Sequence, residues 1–422
     1  MANQKQIHVY LDWLDLEGLQ KLGVLQAEQL RGKEVFSFSY NKEWLESGFA
    51  LLLDPDLGLY SGPQYLRDDK PNFGLFMDSS PDRWGRVLMQ RREAVSARSE
   101  NRKVRPLFES DYLLGVYDLY RMGALRFRLS EDGPFLHDEK DMTVPPFTSL
   151  RTLEEASLRL EDSDNLEDPA FAHWLNLLIS PGSSLGGARP KASVKDPAGN
   201  LWIAKFPSRN DDRDVGAWEA VVNELAVKAG LSIAEGNANR FSQINHTFLT
   251  RRFDRMGDKR VHFASAMTLL GYSDGMDAGA GVSYLHLAEF IMRRGAAPDQ
   301  DLEELWRRIV FYILVSNSDD HLRNHGFILT PKGWRLSPAF DVNPIPRSTG
   351  LTLNISEHSN MLDVDLAREV AEKFRISPGR REEIIVTVSN AVSHWRTVAE
   401  GLNISKREIG DMAEAFLLAA IP

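Results

Sequence analysis

Residues 316–344 read SNSDDHLRNHGFILTPKGWRLSPAFDVNP. This stretch decides the fold class. It starts where a long apolar helical pattern, DLEELWRRIVFYILVSN at 301–317, stops and the chain turns polar. Asp301 and Glu304 have capping-box spacing at the start of that helix. Two short strand-like runs follow the polar turn, GFILT and WRLSPAFDV, and read as a hairpin.

Phosphoryl transfer asks a protein mainly for positioning and charge neutralisation: a carboxylate takes the hydroxyl proton, and oxygen ligands hold magnesium on the phosphates. Protein kinases of the eukaryotic type use an Asp, an Asn five residues later and a second Asp on a nearby strand. Asp319 and Asn324 have the five-residue spacing, and Asp341 follows after the hairpin. An amide oxygen and a carboxylate are hard ligands suited to magnesium. Asp320, next to Asp319, is the competing base. His321 and His325 are four apart, but HLRNH lacks the glutamate of a zinc protease motif and no third ligand stands out. His321 is expected to brace the catalytic loop by hydrogen bonds.

Upstream, SSLGGARPK at 183–191 is neither a P-loop nor a strict G-x-G-x-x-G. Two strand patterns follow it, and Gly186 and Gly187 would let backbone N–H groups approach phosphates. Lys191 ends the loop. Lys205, in WIAKF, is a cation between apolar neighbours and needs a partner. Glu224, on the helical stretch VGAWEAVVNELAVKAG, is the expected partner, as in the strand-lysine to helix-glutamate pair of kinases.

Further out, IHVYLDWL, KLGVLQ and EVFSFSYNKEWL alternate as strands of a small sheet or partial barrel, and RWGRVLMQRREAVSA reads as a helix. The turn-rich stretch 130–150, with its paired prolines, marks a domain boundary. Three regions are expected: an N-terminal subdomain 1–145, an N-lobe-like region 146–256 with the glycine-rich loop, and a helical catalytic lobe 257–422. The fold class is α+β, a bilobal protein-kinase-like fold with an N-terminal β-rich subdomain and a mostly helical C-terminal lobe.

Composition agrees. Of 422 residues, 43% are hydrophobic, enough to bury a sizeable core. Mean hydropathy is −0.32. Cysteine is absent, which excludes disulfides and thiolate chemistry. No signal peptide or membrane span is read, so a cytoplasmic location and no membrane partner are expected. The formal net charge of −10 argues against coating nucleic acid by counterion release. A local basic run, Arg91 to Arg105, leaves accessory contact with DNA open.

Taken together, SSLGGARPK, WIAKF, NEL, RRFDR, SNSDDHLRN and AFDVNP, in that order, resemble the HipA family of bacterial toxin kinases. SPDRWGR and LLGVYDLYRMGALRF resemble its leading subdomain, so the likeness runs from about residue 7 to 390. The resemblance implies a serine/threonine kinase using ATP and Mg2+, with Asp319 as base and Asn324 and Asp341 on the metal. His321 belongs to the same catalytic loop. Gly186, Gly187, Ala188, Lys191, Lys205 and Glu224 would serve the nucleotide. Thr250 to Phe253, with Arg251 among them, would form the hinge beside adenine.

Ser184 matches the loop serine that members phosphorylate on themselves, silencing the kinase, with Ser183 adjacent. The resemblance further implies a helix-turn-helix antitoxin of HipB type that carries DNA contact, and a tRNA-charging enzyme as protein substrate. A co-repressor subunit with little turnover is the rival reading. Two departures are Arg189-Pro190 in the loop and Arg251 at a hinge position that is acidic in some members.

Overall fold

The structure, a computed structural model, describes residues 4–49, 51–66, 70–136, 144–162, 169–179, 187, 189–241 and 245–420. The chain divides into two compact units, Met1–Arg209 with Asp254–Ala264, and Asn210–Phe253 with Ser265–Pro422.

In the first unit, β1 (Gln4–Leu11), β2 (Gln20–Leu30), β3 (Lys33–Tyr40), β4 (Gln64–Tyr65) and β5 (Leu125–Arg128) form one antiparallel sheet in the order β4-β3-β2-β1-β5. Alternation drives it: Phe36, Phe38 and Tyr40 point to one buried face, as do Ile7, Val9 and Leu11. Phe38 and Phe127 both pack on Phe76, at 5.5 and 6.2 Å between ring centroids. Helix α1 (Arg83–Ser99) starts at Asp82, whose Oδ1 accepts from the Gly85 N–H at 2.8 Å.

The hairpin β6 (Lys191–Lys195) and β7 (Leu201–Lys205) belongs to the same unit. Leu201 shares a buried cluster with Tyr117, Tyr120 and Val144, and the Lys195 N–H donates to the Pro145 carbonyl at 2.9 Å. The boundary expected at 145 therefore runs through a packed core, and the units divide instead at Arg209.

Three arginines of the Arg91–Arg105 stretch are tied down within this unit. Arg102 bonds Glu93 and Glu100, Arg105 reaches Glu93 and Asp111, and Arg91 donates to the Leu160 carbonyl.

Asp118, in the LLGVYDLYRMGALRF motif, is buried between Arg126 and Arg260, at 2.6 and 2.9 Å. Burial alone would raise its pKa, but the two guanidiniums outweigh that and hold the carboxyl below its ordinary range. A depressed folded-state pKa gives stability that is present above the unfolded value, about 4, and is lost as pH falls through the folded value. Asp118→Asn is expected to lower stability at neutral pH and flatten the loss below pH ~4, measured by urea unfolding across pH. An unchanged acid limb would show that the pair contributes nothing.

In the second unit, α2 (Val215–Lys228) is apolar on nearly every side and buries ten residues. Beside it β8 (Gly236–Asn239) pairs antiparallel with β9 (Thr247–Arg251). The central helix α3 (Pro298–Val315) buries Trp306, whose indole N–H donates to the Ala367 carbonyl at 2.9 Å. Pro298 opens α3, so Asp301 lies inside the first turn rather than at the cap. Its carboxylate instead accepts from Arg335 Nε and the Leu336 N–H, tying α3 to the hairpin β10 (Gly326–Thr330) and β11 (Gly333–Leu336). Gly333, which opens β11 directly after the Pro331–Lys332 turn, has φ 128°, a backbone region closed to most side chains.

Candidate active site

Helix α3 stops because Ser316 turns left-handed at φ 51°, and its hydroxyl donates to the Ala415 carbonyl at 2.8 Å. The polar loop that follows is held from several sides. The Thr352 N–H donates to Asp320 Oδ1 at 2.9 Å, and the Thr352 hydroxyl donates to the Ser318 carbonyl at 2.7 Å. Ser318 Oγ lies 2.6 Å from Ser348 Oγ. His325 Nε2 sits 3.2 Å from the Asp320 carbonyl, which can only accept, so that nitrogen carries the proton.

These bonds separate the two adjacent acids. Asp320 is 1% exposed and serves as an internal acceptor. Asp319 is exposed and stands at the loop surface. Desolvation of its carboxyl raises its pKa, and Asp341 pushes the same way, while His321 and Arg323 oppose. The expected bracing histidine is therefore corrected. His325 is fully buried and makes the loop bond, whereas His321 Nδ1 has no partner among the described residues and acts on Asp319 through charge. Among the described residues there is no group of three or more His, Asp or Glu that could hold a metal ion by itself.

Asn324 is 5% exposed, and its Nδ2 donates to the Asp319 carbonyl at 2.9 Å. That bond turns the amide so that Oδ1 is the free end, and this buried oxygen has no partner among the described residues. A buried acceptor without a donor is costly unless a ligand satisfies it. Asp341 supplies the second oxygen group, on a backbone at φ 56° that few residues other than Gly, Asn and Asp adopt readily. The amide and carboxylate oxygens suit a magnesium ion that completes its shell with water and phosphate.

Asp341 is carried by a segment fixed from behind. The Ala234 N–H donates to the Ala339 carbonyl at 2.9 Å and the Ala339 N–H to the Ser232 carbonyl at 2.8 Å. Buried Arg308 of α3 donates to the Ser232 and Ser337 carbonyls at 3.1 and 2.7 Å and pairs with Glu304. A small cavity of about 10 Å³ lies beside Asp341, lined by Glu219, Asn223, Phe248, Thr250 and Phe340. At the expected hinge, Phe253 packs on Phe340 at 5.6 Å. The Arg251 N–H is already used by the Glu235 carbonyl at 2.8 Å, and its side chain is exposed and pairs with Glu235.

Glu224 is half exposed and bonds Lys228 at 2.7 Å one turn along its own helix. The buried acid of α2 is Glu219, at 4% exposure. Glu224→Ala is expected to shift stability by less than ~0.5 kcal/mol and leave nucleotide binding unchanged, checked by thermal melting and calorimetry. A large loss of binding would restore Glu224 to the site.

In the first unit, Lys205 is buried on β7, opposite Lys191 in the hairpin register. Lys191 is fully buried with its ammonium 2.7 Å from Asp82 and 3.4 Å from the Gly187 carbonyl. Its charge is thus neutralised by the SPDRWGR motif, and it anchors the loop rather than offering a spare cation to phosphate. Gly187, at φ 75°, has open space where a side chain would stand. Ser183, Ser184, Gly186 and Ala188 lie outside the described residues.

The description HipA-like C-terminal domain matches residues 183–395, half of the chain. The chain belongs to the HipA family. A Shewanella oneidensis protein named serine/threonine-protein kinase toxin HipA is 24% identical over 346 residues, 73% of this chain and 70% of that protein. A Haemophilus influenzae protein with a provisional kinase name is 29% identical over 195 residues, 41% of this chain. This HipA-family chain spans 56% of that relative's length. The Shewanella oneidensis HipA solved with HipB and its operator DNA superposes with a TM-score of 0.66 at 17% identity, covering 98% of this chain and 95% of that one. At that identity the likeness establishes the α+β HipA fold. Among the described residues no helix is long and apolar enough to cross a membrane.

Proposed function

We propose that this chain is an ATP- and magnesium-dependent serine/threonine protein kinase. The observation that carries the reading is the division of labour in one loop. Asp319 is exposed with a raised pKa, while Asn324 five residues on holds a buried oxygen with no partner among the described residues. In the reaction, Asp319 accepts the proton of a serine or threonine hydroxyl. The hydroxyl oxygen forms its bond to the γ-phosphorus as the bond to ADP breaks. Asn324 and Asp341 would hold magnesium, which supplies charge neutralisation on the phosphates when bound. Lys205 would face nucleotide phosphate, and Phe253 would pack beside the adenine.

The finer reading rests on family descent. The chain would act in the cytoplasm as the toxin of a toxin–antitoxin pair, phosphorylating a tRNA-charging enzyme and its own loop at Ser184 or Ser183. A helix-turn-helix antitoxin of HipB type would carry the contact with DNA. The net charge of −10 and the internal pairing of Arg102 and Arg105 support leaving that contact to the partner rather than to this chain.

The test is incubation with labelled ATP and magnesium in a cell lysate, followed by mass spectrometry of the 180–191 peptide. Phosphate on Ser184 or Ser183 and on a lysate protein, both lost in Asp319→Asn, is the expected result. A wild-type chain that labels neither itself nor any protein ends the kinase reading.

A further inference from the structure

Asn324 is not alone in having a stranded oxygen. Asn343, two residues after Asp341, has a buried Oδ1 that also lacks a donor among the described residues. The Asn343 N–H donates to Asn317 Oδ1 at 2.9 Å, and Asn317 is itself 2% exposed at the end of α3. Asn343 Nδ2 points to Asp341 Oδ1 at 3.4 Å. The amide thus stands beside the Asp341 carboxylate with its nitrogen bonded to that residue and its oxygen unused.

Asn343 therefore keeps a donorless oxygen beside the Asp341 carboxylate. A buried carbonyl oxygen without a donor is costly, and a ligand that brings a donor to it removes the cost. Water on a bound cation gives its lone pair to the metal and is a strong donor through both O–H groups. Magnesium in particular keeps several waters when carboxylate and phosphate take its other positions.

We infer that Asn343 is a positioning residue for the metal, its Oδ1 accepting from a water of the cation's shell while its Nδ2 orients Asp341. The inference rests on the kinase reading and adds a residue to it. Asn317 is the support that fixes Asn343 through the backbone. Groups of this outer kind usually matter by 10–100-fold, roughly, in metal affinity.

The experiment titrates Mn2+ against the full chain with a non-hydrolysable ATP analogue, reading bound manganese by electron paramagnetic resonance. Nucleotide binding in EDTA is measured alongside. Asn343→Ala is expected to weaken manganese binding about tenfold, with metal-free nucleotide binding and melting temperature unchanged. Asn343→Gln keeps both the amide oxygen and the N–H donor and is expected to stay within about threefold of wild type, on the same outer-shell reasoning. An alanine variant that binds manganese like wild type overturns the inference, as does a glutamine variant that fails as badly as alanine. A wild-type chain with no nucleotide-dependent manganese site would instead undo the kinase reading itself, and the two failures are distinguishable.

Discussion

Asp319→Asn is expected to slow phosphoryl transfer by roughly 10²–10⁴-fold, the range that a positioned general base contributes, while leaving the melting temperature unchanged. Among the described residues the exposed carboxylate makes no hydrogen bond, and its backbone carbonyl, which Asn324 uses, survives the substitution. The neighbouring acid should behave in the opposite way. Asp320→Ala removes the acceptor of the part-buried Thr352 N–H and should cost about 1–3 kcal/mol of stability. Single-turnover ADP release and thermal melting, run on both variants, separate the roles. Were Asp320→Ala to fold normally and lose the reaction while Asp319→Asn kept it, the base would have to be reassigned.

A second large effect is expected far from that loop. Asp82 and Lys191 form an ion pair whose side chains are 4% and 1% exposed, closing a span of 109 residues between the cap of α1 and the base of the glycine-rich loop. Removing one member of such a pair strands the other charge in the interior, at a cost of about 3–5 kcal/mol. Asp82→Ala also removes the acceptor of the Gly85 N–H, a cap contribution of about 1 kcal/mol that overlaps the first. Replacing both partners together, Asp82→Leu with Lys191→Met, leaves no charge to strand and should recover most of the loss. Urea unfolding of the three proteins measures it. A single-variant loss below ~1 kcal/mol would mean that Lys191 finds another partner or water, contrary to the buried geometry.

These contrasts show what a linear reading can reach. The Asp319–Asn324 spacing, the β10–β11 hairpin and the extent of α3 were legible because each depends on a few adjacent residues whose types state their roles. The face of α2 was not. That helix is apolar almost all round, so periodicity carries no orientation, and Glu224 was chosen where Glu219 is the buried acid. Asp82 could not be linked to Lys191 because nothing in spacing encodes a contact over 109 residues. The expected division at residue 145 followed turn-forming composition, yet Pro145 accepts a strand hydrogen bond and Val144 lies in the core. His325 was weighed only as a zinc ligand, and its burial, which makes it the brace, is a property of the packed loop. Asn343 sits in plain view within DVNP, and only the orphaned oxygen gives it a part.

The left-handed backbone at Asp341 bears on how this position can drift over evolutionary time. Two filters act on it at once, one for an oxygen that can bind a cation and one for a main chain that tolerates positive φ. Glutamate passes the first and fails the second; glycine does the reverse. Asparagine satisfies the backbone and dilutes the charge, so it is the natural first step for a lineage losing catalysis while keeping its shape. Relatives carrying Asn at this position would then be candidates for retired enzymes that persist as binding proteins, and their Asp319 equivalents should be free to vary.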